Sequence, residues 1–213
     1  MNVAVTAPLD RKRWLASLQS GKDVSDTLKE QMDLAEEQLF KAAKPKAVYR
    51  IMKKEDIRRK GVSIEKHLEE CDWVAVMGAT LGMGVDDLIR RTQVRDMAMA
   101  VILDCGASLM IEEVCNIFQK QIDAETDGYL TSRFSPGYGD YPLEYQQSIV
   151  RYIDGQRKIG LNVTANSLMV PRKSVTALLG ISDHPVTGRL ATCGECVLRE
   201  KCTLRKEGKF CGD

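Results

Sequence analysis

The feature that most restricts how this chain can fold is one helical stretch, from about position 96 to 125, whose first half is apolar on almost every side. At 1.5 Å per residue it spans roughly 45 Å. A surface helix needs only one apolar stripe. A helix apolar all round has to be covered on several sides, so it is expected in the middle of the fold, with further layers around it. Gly106 lies in its interior, where glycine costs about 1 kcal/mol against alanine. A close contact at its backbone is expected to be the reason.

The elements around this helix are mixed. Val24, Leu28, Met32, Ala35, Leu39 and Ala42 recur at steps of three or four and form one apolar stripe. Ser25 suits the N-cap of that helix, and Pro45 stands past its end. Segments 48–52, 73–77, 129–134, 161–163, 167–170 and 174–181 read as strands. Ser63 suits the cap of a short helix, an amphipathic helix covers about 85–93, and another covers 143–153 behind Pro142. Gly78-Ala79-Thr80-Leu81-Gly82-Met83-Gly84 lacks both glycine-rich phosphate-loop patterns and reads as a strand-to-helix turn. Long helices with short, non-alternating strands predict an α+β domain. It is expected to have a mainly antiparallel, bent sheet flanked by helices, one of them long and central. Residues 1–22 are expected to form a loosely attached arm.

Composition removes several classes of function. The 31 basic and 30 acidic residues leave a formal charge of +1, and aromatic residues make up 6%. Neither a basic face nor a stacking platform for nucleic acid is expected. No run of about 18 uncharged apolar residues is present to span a membrane. Arg11, Lys12 and Arg13 follow the mildly apolar start, the wrong order for secretion, so the protein is expected in the cytoplasm.

Two loops carry the candidate chemistry. Arg133-Phe134-Ser135-Pro136-Gly137-Tyr138-Gly139-Asp140-Tyr141-Pro142 holds two glycines and two prolines beside an arginine and two tyrosines. Arg133 offers a planar fork suited to a carboxylate, and Tyr138 adds a ring face and a hydroxyl. Those groups suit an amino-acid-like ligand with a flat appendage. Taken alone, the composition fits a tight turn with a surface arginine better. The second loop, around Met169-Val170-Pro171-Arg172-Lys173-Ser174-Val175, presents basic and hydroxyl groups at a strand end. By itself it is equally a hairpin with a basic tip.

In combination and in order, these stretches are specific. Arg133, Pro136, Gly137 and Tyr138 are followed by Met169, Pro171, Ser174 and Val175, and then by Ser182, His184 and Pro185. The chain resembles the activation domain of cobalamin-dependent methionine synthase, in the standalone form found in bacteria. The resemblance is good over residues 133–185 and weaker over Leu109-Met110-Ile111-Glu112. It implies an activation-like domain over 23–187, binding of S-adenosylmethionine, and a role in methionine biosynthesis. The role would be reductive methylation of cob(II)alamin on a corrinoid-binding methyltransferase. It further implies that Arg133 engages the ligand carboxylate and Tyr138 the adenosyl part. The backbone of Ser135 and Gly137 would line the site, and Glu112 would meet the cationic end. Only His67 and His184 are present, and no Asp-x-His-x-x-Gly stands in the chain, so the cobalamin would come on a partner acting in trans. A low-potential donor, flavodoxin-like or other, would supply the electron. No general base is needed for that transfer, and none of the motifs is expected to provide one.

Other residues have simpler readings. Cys71, Cys105 and Cys115 fit inert thiols within periodic segments, and Met97, Met99 and Met110 fit core packing. His67 is expected to face solvent from a charged helix, and His184 to sit in a turn. Cys193, Cys196, Cys202 and Cys211 crowd into a tail over 188–213 with two, five and eight residues between them. That spacing fits four thiolates on zinc or an iron–sulfur cluster, or else reduced thiols or a redox pair. The tail also keeps open a different role, that of a non-catalytic accessory protein docking on a corrinoid protein and handling electrons.

Overall fold

The computed structural model describes residues 1–5, 8–19 and 24–186. Helices α1 (Arg11–Ser17) and α2 (Asp26–Ala42) lead into strand β1 (Lys46–Lys53), and α3 (Val62–His67) into β2 (Trp73–Thr80). Then come α4 (Met83–Arg95), the long α5 (Met97–Glu125) and the short β3 (Tyr129–Leu130). The chain closes with α6 (Gln146–Tyr152), α7 (Gly155–Ile159), the two-residue strands β4 (Asn162–Val163) and β5 (Met169–Val170), and β6 (Ser174–Ser182). The main sheet has the order β1-β2-β6-β3 and every pairing in it is antiparallel. β4 and β5 form a separate antiparallel pair. This is the α+β architecture expected from the sequence.

The two central strands are buried on both faces, which explains why they read as continuous apolar runs. Period-two alternation then sorts their side chains. Ala75, Met77 and Ala79 of β2, with Ala177, Leu179 and Ile181 of β6, meet α1, α2, α4 and α5 in one cluster. Val74, Val76 and Leu178 point the other way, into a cluster with α3, α6, α7 and the loop that follows β3.

On the first face, α5 is capped by Asp96, whose carboxylate accepts from the Met99 amide at 3.0 Å. Gly106 is where α1 crosses it: a Cβ there would stand 2.3 Å from Trp14 Cζ2. Trp14 is fully buried and its indole N–H donates to Ile102 O at 3.0 Å. The segment read as a loose arm is therefore packed into the core through Val3, Leu9 and Trp14. An apolar residue spaced too sparsely to show a period can still fill a hole made by a glycine elsewhere. The first turn of α5 is less enclosed than its composition suggests, with Met97 and Val101 about half exposed. The stretch from Gly78 to Gly84 is the expected strand-to-helix turn. It has Gly82 at φ +82° and Gly84 packed so closely on Ala42 O that a Cβ would stand 2.4 Å away.

Candidate functional site

The site is built where an edge strand breaks. β3 pairs Leu130 with Ile181, and the ladder continues as the Thr131 amide donates to Gly180 O at 2.9 Å. Phe134 then pairs with Leu178, each amide donating to the other's carbonyl at 2.9 Å. Ser132 and Arg133 thus oppose Leu179 alone, which makes a β-bulge. A bulge re-aims the side chains that follow it. Here Leu130 packs toward the first cluster and Phe134 toward the second, although an unbroken strand would put both on one face.

Arg133 is thrown against α5. Its Nη1 donates to Gln119 Oε1 at 2.7 Å, and its Nη2 to Asn116 Oδ1 at 3.0 Å and Glu112 Oε2 at 3.1 Å. The side chain retains 20% exposure and Glu112 retains 45%, so the ion pair is partly open to solvent and not in the core. Buried beneath it, the Cys115 thiol is pushed up to about 12 by desolvation, against a smaller opposing pull from Arg133. It is a neutral thiol at physiological pH, and the ion pair of the guanidinium is made with Glu112.

Glu112, Asn116 and Gln119 fall at helical steps on one face of α5, and Asp104 and Ser108 extend the same stripe toward its N-terminus. The second loop docks there. Lys173 Nζ reaches Asp104 Oδ1 at 2.9 Å, Asp104 O at 3.0 Å and Ser108 Oγ at 2.9 Å. Ser174 Oγ donates to Pro171 O at 2.7 Å and lies 2.8 Å from Thr80 Oγ1. The Arg172 amide donates to Asp86 at 2.7 Å. One polar stripe on the central helix therefore carries both motif loops.

Beyond the bulge the loop is a compact turn. Gly137 has φ +94°, and its amide donates to Tyr141 O at 2.8 Å. The Tyr138 amide donates to Ser135 O at 3.1 Å. The ring of Tyr138 stands edge-on to Phe134 at 5.9 Å and is 54% exposed. The structure thus brings Arg133 and Glu112 into direct contact and puts Ser135, Gly137 and Tyr138 on the turn that follows. Gly137 can offer its backbone as a surface, but its N–H is already taken.

Two placements differ from the sequence reading, and two residues went unnoticed. Ser63 does not cap α3; Asp140 does, its carboxylate accepting from the Val62 amide at 2.6 Å and the Ser63 amide at 2.8 Å. Those two amides hold the Asp140 carboxyl below its ordinary range. His67 does not face solvent: it is 2% exposed, stacked on Phe134 at 4.8 Å, with Nε2 at 3.0 Å from both Ser132 O and Thr131 Oγ1. Its partners are more than sixty residues away, so the charged neighbours in sequence gave the wrong surroundings. Asn116 and Gln119 were not singled out, although amides spaced with Glu112 in an apolar helix were a visible signal.

The described residues include no group of three or more His, Cys, Asp or Glu placed to hold a metal ion. Cys193, Cys196, Cys202 and Cys211 lie outside the described residues. No described helix is long and apolar enough to cross a membrane. A groove of about 350 Å³ lies elsewhere, lined by α6, α7 and β4 through residues such as Gln147, Arg151 and Asn162. None of the predicted ligand residues lines it.

No family model matches the chain, and no curated protein matches it. Among solved structures it is similar to the crystal structure of the MetH reactivation domain bound to AdoHcy. The two share 13% identity at a TM-score of 0.55, over 94% of this chain and 82% of that one. At that identity the likeness is one of fold: this chain has the fold of a methionine synthase reactivation domain.

Proposed function

We propose that this protein is an S-adenosylmethionine-binding activation module. It supports reductive methylation of cob(II)alamin on a separate corrinoid-binding methyltransferase such as methionine synthase. The observation that carries this reading is the Arg133 fork, aimed by a bulge, held by three acceptors of one helix and flanked by an exposed tyrosine ring. A solved reactivation domain of the same fold holds AdoHcy, the demethylated counterpart of the ligand proposed here.

The residues fit such a ligand. Three N–H groups of Arg133 are directed at α5; of the remaining two, on Nε and Nη1, each points along a different edge and suits a single oxygen of a ligand carboxylate. Glu112, half exposed, suits an α-ammonium or sulfonium. Tyr138, more than half exposed, offers its ring to a purine. When bound, S-adenosylmethionine supplies the methyl group that restores the partner's cofactor. The chain's own part is to fix the ligand's orientation between two opposite charges and to keep water from it. The neutral, buried Cys115 offers no competing nucleophile. A low-potential donor such as a flavodoxin completes the system.

Calorimetric titration with S-adenosylmethionine tests this. One saturable site is expected, weakened about a hundredfold or more in Arg133→Ala, since charge-assisted hydrogen bonds each contribute about 1.5–3 kcal/mol. Unchanged affinity in that variant would end the assignment of Arg133.

A second role is favoured by the tail. The spacing of Cys193, Cys196, Cys202 and Cys211 in the sequence suits a four-thiolate site for zinc or an iron–sulfur cluster. A cluster there would make the chain an accessory protein that handles electrons for the corrinoid partner. Anaerobic purification with metal analysis and an absorption spectrum decides it: a colourless, zinc-loaded protein removes the electron-relay role.

A further inference from the structure

Taking Arg133 as the ligand's anchor, as proposed above, we infer that His67 is the positioning residue that sets its aim, acting through the bulge carbonyl of Ser132. His67 lies in the last turn of α3, and that six-residue helix braces both ends of the Arg133 loop. At its first turn the Val62 and Ser63 amides take the Asp140 carboxylate. The approach there is tight enough that a Cβ on Gly61 would stand 2.8 Å from Asp140 O, and one on Gly139 2.5 Å from Ser63 Oγ. At its other end His67 reaches the residues immediately before Arg133.

The partners of the bulge oxygens point to a donor role for His67 Nε2. Ser132 O can only accept, and it lies 3.0 Å from His67 Nε2, so Nε2 carries a hydrogen. Thr131 Oγ1 accepts from the Gly180 amide at 2.8 Å and donates its single proton to Ser132 O at 3.0 Å. It therefore meets His67 as an acceptor too. One buried N–H thus serves the Ser132 carbonyl and the Thr131 hydroxyl of the bulge, where the regular ladder has stopped supplying partners. Phe134 fixes the ring's plane from the far side of Arg133. Without that N–H, Ser132 O keeps the hydrogen bond from its neighbour's hydroxyl and loses the one from His67. The bulge can then relax toward a regular strand, which would turn Arg133 off the α5 stripe.

The test uses the full-length chain with ¹⁵N-labelled arginine, the Arg133 signals being assigned by their loss in Arg133→Lys. In the wild type the guanidinium is expected to rotate slowly, because three acceptors hold it. His67→Leu, similar in bulk but without the donor, should lose that signature and bind S-adenosylmethionine about tenfold more weakly. His67→Gln carries an N–H near the Nε2 position and should restore both, whatever each variant does to the melting temperature. Unaltered Arg133 signals in His67→Leu overturn the inference, as does affinity that tracks melting temperature alone across the variants. Should His67→Leu not fold, His67→Asn replaces it: its shorter amide cannot reach the bulge and must behave unlike His67→Gln. Absence of S-adenosylmethionine binding in the wild type would instead remove the ligand reading, while the arginine signals still decide the role of His67.

Discussion

The two faces of the sheet are built on different principles. On one, helices of 17, 13 and 29 residues close over a continuous apolar cluster, with Gly106 and Trp14 interlocked at its centre. On the other, helices of six, seven and five residues share the space with a long loop. There a smaller apolar cluster is supplemented by single polar groups: Asp140 on α3, His67 on the bulge, and the Tyr152 hydroxyl accepting from the Arg58 amide at 2.9 Å. Isolated helices of that length are not stable, so they exist because tertiary contacts hold them. The first face supplies rigidity through area. The second supplies aim through a few directional bonds, and the candidate site lies where the loop of the second reaches the long helix of the first.

If that division is right, the largest stability effects belong to the first face. Trp14→Ala removes a fully buried indole and leaves a hole against Gly106, and is expected to cost about 3–5 kcal/mol. Urea unfolding would measure it. A loss below about 1 kcal/mol would mean that the first nineteen residues are not part of the core, and the contrast between the faces would fail.

Gly106→Ala sharpens the same point because two effects oppose. Alanine gains about 1 kcal/mol of helix propensity. Its Cβ would meet Trp14 Cζ2 at 2.3 Å and Leu39 Cδ1 at 2.8 Å, and overpacking of that kind costs about 1–3 kcal/mol. Net destabilisation is expected, and Trp14→Ala should reverse its sign by opening the space. A double-mutant cycle reads the coupling directly.

On the second face the expected stability effect is smaller and the functional effect larger. Asp140→Ala removes the cap of α3; with a solvent-exposed, screened carboxylate the cost is about 1 kcal/mol or less. The Asp140 carboxyl is lowered in the folded state. Its contribution is therefore present above the unfolded value near 3.9 and is lost as pH falls through the folded value. Ligand affinity should fall further than stability does, since the loop loses one of its two braces. An Asp140→Ala penalty rivalling that of Trp14→Ala would erase the distinction between the faces.

Legibility followed the same division. α2 was readable because burial on one face imposes a period on the residues themselves, α5 because its first half is apolar on almost every side, and the central strands because burial on both faces removes polar residues. Arg133 and Tyr138 were singled out from loop chemistry and motif order, and Arg133 stands against Glu112 of α5. What was missed are pairings across long separations. His67 looked solvent-facing beside Glu65, Lys66, Glu69 and Glu70, because nothing local announces that Ser132 will come to it. Ser63 looked like a cap because the true cap, Asp140, lies 78 residues from Val62. The bulge itself has no sequence period at all: it is defined by the partner strand's count.

The smallest expected effect probes the end of β6, where the described chain stops. His184 Nε2 lies 3.0 Å from Glu70 Oε2 and its Nδ1 lies 2.7 Å from Asp183 Oδ1, while its amide donates to Ser182 Oγ at 3.3 Å. Glu70 first and Asp183 second raise the imidazole above its ordinary value. A raised folded value means that the stabilisation is complete below the unfolded value near 6.5 and disappears as pH rises through the folded one. The whole group is at the surface, so the melting temperature should drift only slightly across that window. Hydrogen exchange at the Ser182 and His184 amides is the sharper probe: protection should fall as pH rises beyond the intrinsic rate increase, and Glu70→Gln should flatten the dependence. Protection that persists unchanged to alkaline pH would mean that the bond from His184 N–H to Ser182 holds this end without the charge. The junction would then belong, with the sheet, to the face that is held by packing.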